Sequence, residues 1–172
     1  MRFAGLAYRA HDPSWAFSPT SGEGARLKGG RFNPIGVPAL YLGLTVETCA
    51  LEMGHGFKHR FEPLTICCYD VDVENVVDLS SPRSRTAAAI RLARLKCSWG
   101  LELADGKEPQ SWKVAVELIA AGAAGILVPS FANGATSKNL NLVLWKWSKR
   151  LPFKVTPYDP AGRLPKNRKS WK

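Results

Sequence analysis

The sequence predicts a single α+β domain, a largely antiparallel sheet with flanking helices. Three observations predict it. The chain has 172 residues, the size of one domain with a substantial core. Hydrophobic residues make up 45% and charged residues 22%, a globular balance that excludes a disordered chain. Short β-rich segments precede and follow helical ones without the regular alternation of a parallel α/β fold.

The elements follow in order. Leu6-Ala7-Tyr8-Arg9 reads as a first strand. Residues 11–33 read as a long loop, punctuated by Pro13, Pro19, Gly22, Gly24, Gly29 and Gly30; a loop of that length in a compact domain is usually functional or mobile. Ala39-Leu40-Tyr41-Leu42 is a strand. Thr45 is a good N-cap for a helix running to about Gly54 or Gly56, with Val46, Cys49, Ala50 and Met53 on its apolar face. At about 100° per residue, Glu52 lies at the margin of that face, with Thr48 one turn before it and His55 three residues after it. Residues 64–73 form a strand and residues 76–79 another. Ser81-Pro82 opens a basic helix through about Lys96. A clearer helix starts at Gln110 or Ser111 and ends before Gly122. Residues 125–130 form a buried strand. A loop over residues 133–138 leads to the strand of residues 139–145.

Charge and cysteine content narrow the function classes. The net charge is +10, and Arg163, Lys166, Arg168, Lys169 and Lys172 carry half of it on residues 161–172. The chain therefore divides into a body, residues 1–160, and a basic tail, residues 161–172. The basic balance suits a phosphate-rich ligand or an acidic partner. The four cysteines show no metal spacing and read as reduced, buried thiols. No secretory signal or membrane-spanning run is legible, so the expected location is the cytoplasm and no membrane partner is expected.

The densest chemistry lies in Gly29-Gly30-Arg31-Phe32-Asn33, Tyr41 and Glu52. Two phosphate-binding fingerprints fail there. Gly24 and Gly29 have the spacing of a P-loop, but Gly30-Arg31 replaces the required Lys-Ser/Thr. Leu27 stands where the third glycine of a dinucleotide fingerprint belongs. The glycines instead allow a close backbone approach to a ligand. Arg31 is placed to make charge-assisted bonds to a phosphate or a ribose hydroxyl, or a salt bridge across the sheet. Tyr41 carries an aromatic hydroxyl at the end of its strand. His55, His59 and Glu62 supply no third ligand at metal spacing, so no metal is expected. Ser130 lacks a nucleophile-elbow context.

Together Gly29-Gly30-Arg31-Phe32-Asn33, Ala39-Leu40-Tyr41-Leu42, Ala50-Leu51-Glu52, Val128-Pro129-Ser130 and the segment from Asn139 to Trp145 resemble the RES domain, from about Tyr8 to Pro157. The resemblance places the family's arginine on Arg31, its glutamate on Glu52 and its accompanying tyrosine on Tyr41. Its serine falls on Ser130, with Ser137 nearby as the other candidate. It implies an ADP-ribosyltransferase-like fold and a toxin of a bacterial toxin–antitoxin pair, held in check by an antitoxin with an Xre-type helix-turn-helix. It also implies consumption of NAD+ by hydrolysis, phosphorolysis or ADP-ribosyl transfer to a protein.

The residues suit that chemistry. Breaking the nicotinamide–ribose bond develops positive charge on the sugar and releases a neutral base, so a carboxylate beside the ribose is the main requirement. Glu52 is the candidate for it. Arg31 and Gly30 are expected to hold the dinucleotide, Tyr41 to stack on the nicotinamide, and Ser130 to bond the sugar or orient Glu52. ADP-ribosyl transfer to a protein is the leading expectation, with NAD+ glycohydrolysis or phosphorolysis next. A ribonuclease using His55 or His59 with Glu52, and a nucleic-acid-binding module using the basic tail and Trp147 or Trp171, are the alternatives from other classes.

Overall fold

A computed structural model describes residues 1–53 and 63–171. Seven strands form one sheet in the order β4-β5-β6-β2-β1-β3-β7. They are β1 (Phe3–His11), β2 (Leu40–Gly43), β3 (Thr65–Val73), β4 (Val76–Asp78), β5 (Gly125–Pro129), β6 (Leu140–Leu144) and β7 (Phe153–Pro157). Only β4 and β5 run parallel; every other pair is antiparallel. The helices are α1 (Glu23–Lys28), α2 (Val46–Met53), α3 (Pro82–Ala87), α4 (Leu92–Leu95), α5 (Trp99–Ala104) and α6 (Gln110–Ala120). The α+β expectation holds.

The two faces of the sheet bury separate cores. Ala7, Leu40, Leu42, Tyr69, Val71, Leu142 and Leu144 lie in one. Phe32, Ile126, Val128, Val143, Trp145 and the α6 residues Val114 and Ala115 lie in the other. This is the period-two alternation of strands covered on both sides.

One seam of the sheet positions the site. β1 pairs with β3 along nine residues, from Phe3↔Val73 to His11↔Thr65. Against β2 it pairs only at Tyr8↔Gly43. β2 is meanwhile fully paired with β6, from Leu40↔Leu144 to Gly43↔Asn141. The sheet therefore parts at the β1–β2 seam, and α2 packs beside the opening.

Several elements depart from the sequence reading. The stretch read as loop contains a 3-10 turn at Pro13–Trp15 and the helix α1. Its glycines misled because each does something different. Gly22 lies against Trp147, whose ring an added Cβ would meet at 2.5 Å, whereas Gly24 faces open space. The expected basic helix from Ser81 to Lys96 is two helices. Ser81 and Ser84 form a reciprocal capping box at the start of α3. Ala89 then turns left-handed at φ 54°, with the Ile90 N–H reaching back to the Arg85 carbonyl at 3.0 Å. Arg85, buried, ties α3 to the segment before it by donating to the Leu79 and Ser80 carbonyls. α5 and β7 have no counterpart in the sequence reading; Val155 is the one fully buried residue of β7.

The nucleic-acid-binding alternative requires Trp147 at the surface. It is half-buried against the core, and its Nε1 donates to the Thr20 carbonyl at 3.0 Å. The basic tail also folds back: Leu164 packs on the same core, and Arg168 lies 5.1 Å from the Trp15 ring centroid. His55, His59 and Glu62 lie outside the described residues.

Candidate active site

A cleft of about 220 Å³ opens at the β1–β2 seam. Tyr8, Arg9 and Ala10 of β1, Tyr41, Leu42 and Gly43 of β2, Cys49, Glu52 and Met53 of α2, and Asn141 of β6 line it.

Glu52 reaches this cleft because α2 is fixed at its start. Thr45 Oγ1 accepts from the Thr48 N–H at 3.0 Å, an N-cap bond. The buried Thr48 in turn accepts from Asn139 Nδ2 at 3.1 Å, which ties the helix to the loop entering β6. One turn later the exposed Glu52 carboxylate is clamped. Oε1 accepts from Ser130 Oγ at 2.6 Å and from Asn141 Nδ2 at 2.5 Å. Oε2 has no hydrogen-bond partner among the described residues and remains open to a ligand.

Ser130 follows β5 directly, is buried, and accepts from the Ala132 N–H at 3.2 Å. Its hydroxyl is thus a relay between backbone and Glu52. Ser137 is exposed on the turn before β6, so Ser130 is the serine that meets the glutamate.

Tyr41 lines the cleft, but its hydroxyl is consumed locally. It donates to Asn33 Oδ1 at 2.7 Å and accepts from the Phe32 N–H at 2.9 Å. Burial pushes its pKa well above the ordinary phenol value, so it stays protonated. Gly30 sits beneath it: an added Cβ would fall 2.6 Å from the Tyr41 hydroxyl oxygen. What the missing side chain admits here is the tyrosine.

Arg31 stands next to this turn and outside the cleft lining. Nη1 donates to the Cys97 carbonyl at 2.7 Å, and the guanidinium lies 5.1 Å from the Phe131 ring centroid. It forms no salt bridge across the sheet among the described residues. Burial lowers its pKa, and the nearby Glu52 charge acts in the opposite sense.

Two lining residues escaped the sequence reading. Arg9 projects from β1 with no carboxylate partner among the described residues. Its Nη1 donates to the Pro19 and Ser21 carbonyls at 3.0 and 2.8 Å, and burial lowers its pKa. The signal was a cation on the same strand face as the buried Ala7. Asn141 was visible as the polar partner in the alternation of β6. A strand position opposite Gly43 says nothing of a glutamate on α2 until the fold is known.

Cys49 is a buried free thiol with its pKa pushed up by burial. Among the described residues no cluster of His, Cys, Asp and Glu could hold a metal, and no helix is long and apolar enough to cross a membrane.

The RES domain family matches residues 6–167. The chain belongs to the RES domain family. The M. tuberculosis MbcT–MbcA toxin–antitoxin complex contains a chain similar to this RES domain, with a TM-score of 0.60 and 22% identity, over 92% of this chain and 84% of that one. At that identity the likeness establishes the shared fold of the RES domain. A search of curated proteins finds no match.

Proposed function

We propose that this RES domain is the toxin of a toxin–antitoxin pair and cleaves the nicotinamide–ribose bond of NAD+, passing ADP-ribose to a protein acceptor. The observation that carries the reading is the clamped Glu52 carboxylate. One oxygen is fixed by Ser130 and Asn141, and the residue lines a cleft that a cation, Arg9, also lines.

The cleft volume of about 220 Å³ is below the usual range for a complete ligand site, roughly 300–1,000 Å³, and suits one end of a dinucleotide. The nicotinamide ribose enters against Tyr41, and Glu52 Oε2 accepts from a ribose hydroxyl. The bond between nicotinamide nitrogen and the ribose anomeric carbon lengthens. Its electron pair leaves with nicotinamide, which departs neutral and needs no acid. Positive charge develops on the sugar beside the carboxylate, and the acceptor's nucleophilic atom bonds to the anomeric carbon and releases its proton to water. A preorganised contact of this kind is worth about 2.7–4 kcal/mol, on the order of a hundred- to a thousandfold in rate. Arg9 and Arg31 offset the negative charge of the dinucleotide.

The antitoxin partner rests on the family membership and on the similar chain of a toxin–antitoxin complex. An acidic segment suits a chain of net charge +10, and a partner covering the Glu52 cleft silences the enzyme in its own cell.

NAD+ labelled in its adenine ring tests the acceptor. With cell lysate the label is expected in protein. Free ADP-ribose identifies water as the acceptor, and a phosphorylated ADP-ribose formed only with added phosphate identifies phosphorolysis.

A further inference from the structure

A second cavity of about 290 Å³ lies between the end of β1, the Pro13–Trp15 turn and α1. Arg9 lines both this cavity and the Glu52 cleft. His11 lines it, and its Nδ1 and Nε2 are both buried with no hydrogen-bond partner among the described residues. A buried polar group without a partner is costly, and native structures retain few of them. Trp15 and Leu27, 48% and 59% exposed, supply apolar walls. Ser18 adds a hydroxyl and Lys28 a second cation, while the charge of Glu23 is taken up by Arg26.

We propose that this cavity is the adenosine subsite of the enzyme, with the linking phosphates carried by the Arg9 that walls both cavities. The inference rests on the NAD+ reading of the Glu52 cleft. A purine base matches what the cavity offers: an apolar face against Leu27, apolar contact with Trp15, whose ring also meets Phe17 and Arg168, and an edge of ring nitrogens and an amine toward His11. Burial and the Arg9 charge hold His11 below its ordinary pKa, so at neutral pH its ring carries one donor and one acceptor. Arg9 spends Nη1 on the Pro19 and Ser21 carbonyls and keeps Nε and Nη2 for phosphate oxygens. Each cavity alone is at or below the size of a complete ligand site.

AMP is titrated against the full chain and its His11→Leu and Leu27→Glu variants, with Trp fluorescence as readout. Cleavage of NAD+ and of nicotinamide mononucleotide, which lacks the adenosine end, is then compared. His11→Leu removes an unpartnered polar group and is expected to fold with an undiminished melting temperature; Leu27 is exposed, so its variant is the second check. AMP affinity is expected to fall about tenfold in each variant, the effect of one lost hydrogen bond or apolar contact. The preference for NAD+ over the mononucleotide is expected to fall by a similar factor. AMP binding equal in all three proteins, or an unchanged preference, overturns the proposal. Loss of AMP binding in the variants of a protein that cleaves neither substrate upholds the nucleotide site and overturns the NAD+ reading.

Discussion

The Glu52 clamp makes a quantitative prediction. Asn141→Ala removes one of the two donors on Oε1, and Ser130→Ala removes the other. Glu52 is exposed, so no packing holds its side chain once the donors are gone. A free glutamate recovers up to about 1.5–2 kcal/mol of rotamer entropy, and each donor, the buried Ser130 or the half-buried Asn141, opposes this by about 1 kcal/mol. Each single variant loses one donor of about 1 kcal/mol and is therefore expected to lower kcat up to about fivefold, with KM little changed. Asn141→Asp gives a sharper reading. It sets a second carboxylate at hydrogen-bond distance from Glu52, and two such groups resist ionising together. Repulsion from that second carboxylate pushes Glu52 out of its bound position, so Asn141→Asp is expected to lower kcat further than Asn141→Ala. The assay is nicotinamide release at saturating NAD+. Wild-type kcat in both alanine variants, or a loss confined to KM, refutes the clamp.

Three further outcomes follow from the same geometry. Gly30→Ala drives a Cβ to 2.6 Å from the Tyr41 hydroxyl and 2.8 Å from Asn33 Oδ1; about 1–3 kcal/mol of stability is expected to be lost, seen as a lower thermal midpoint. Tyr41→Phe leaves the Phe32 N–H unpaired and is expected to cost about 1–3 kcal/mol by denaturant titration, with the cleft ring retained. His11 has a folded pKa below its unfolded one, so the unfolded chain binds more protons as pH falls past about 6.5. Its contribution to stability is intact above that pH and is lost on acidification through the folded pKa, and His11→Leu should flatten that part of the stability–pH curve.

How much was legible depended on whether a residue's role was local. The Thr45 cap, the strand of Tyr41 and the alternation of β6 are set by neighbours in sequence, and all appear where the pattern places them. Glu52 at the margin of an apolar helix face was legible for the same reason, and Ser130 does meet it. The Gly30-Arg31 turn was legible as unusual. Its glycine answers to Tyr41, eleven residues away, which only the closed turn reveals. The parting of β1 from β2 was not legible, because register against a non-neighbouring strand is a tertiary property. That parting brings Arg9 and Asn141 to the cleft. The left-handed turn at Ala89 was hidden likewise, since local propensity alone would continue the helix there; the buried Arg85, which ties α3 to the Leu79 and Ser80 carbonyls before it, is a tertiary feature too. Trp147 shows the opposite error: a large aromatic near a basic terminus read as surface, yet Gly22 leaves the space its ring fills.

The most direct measurement is nicotinamide release from NAD+ by the purified, partner-free protein, beside Glu52→Gln, with NAD+ binding followed by calorimetry. The glutamine keeps the shape of the side chain and removes its charge. The account predicts release by the wild type and a loss of roughly a hundredfold or more in Glu52→Gln, with NAD+ affinity nearly preserved. No release by the wild type, or equal rates in the two proteins, contradicts it.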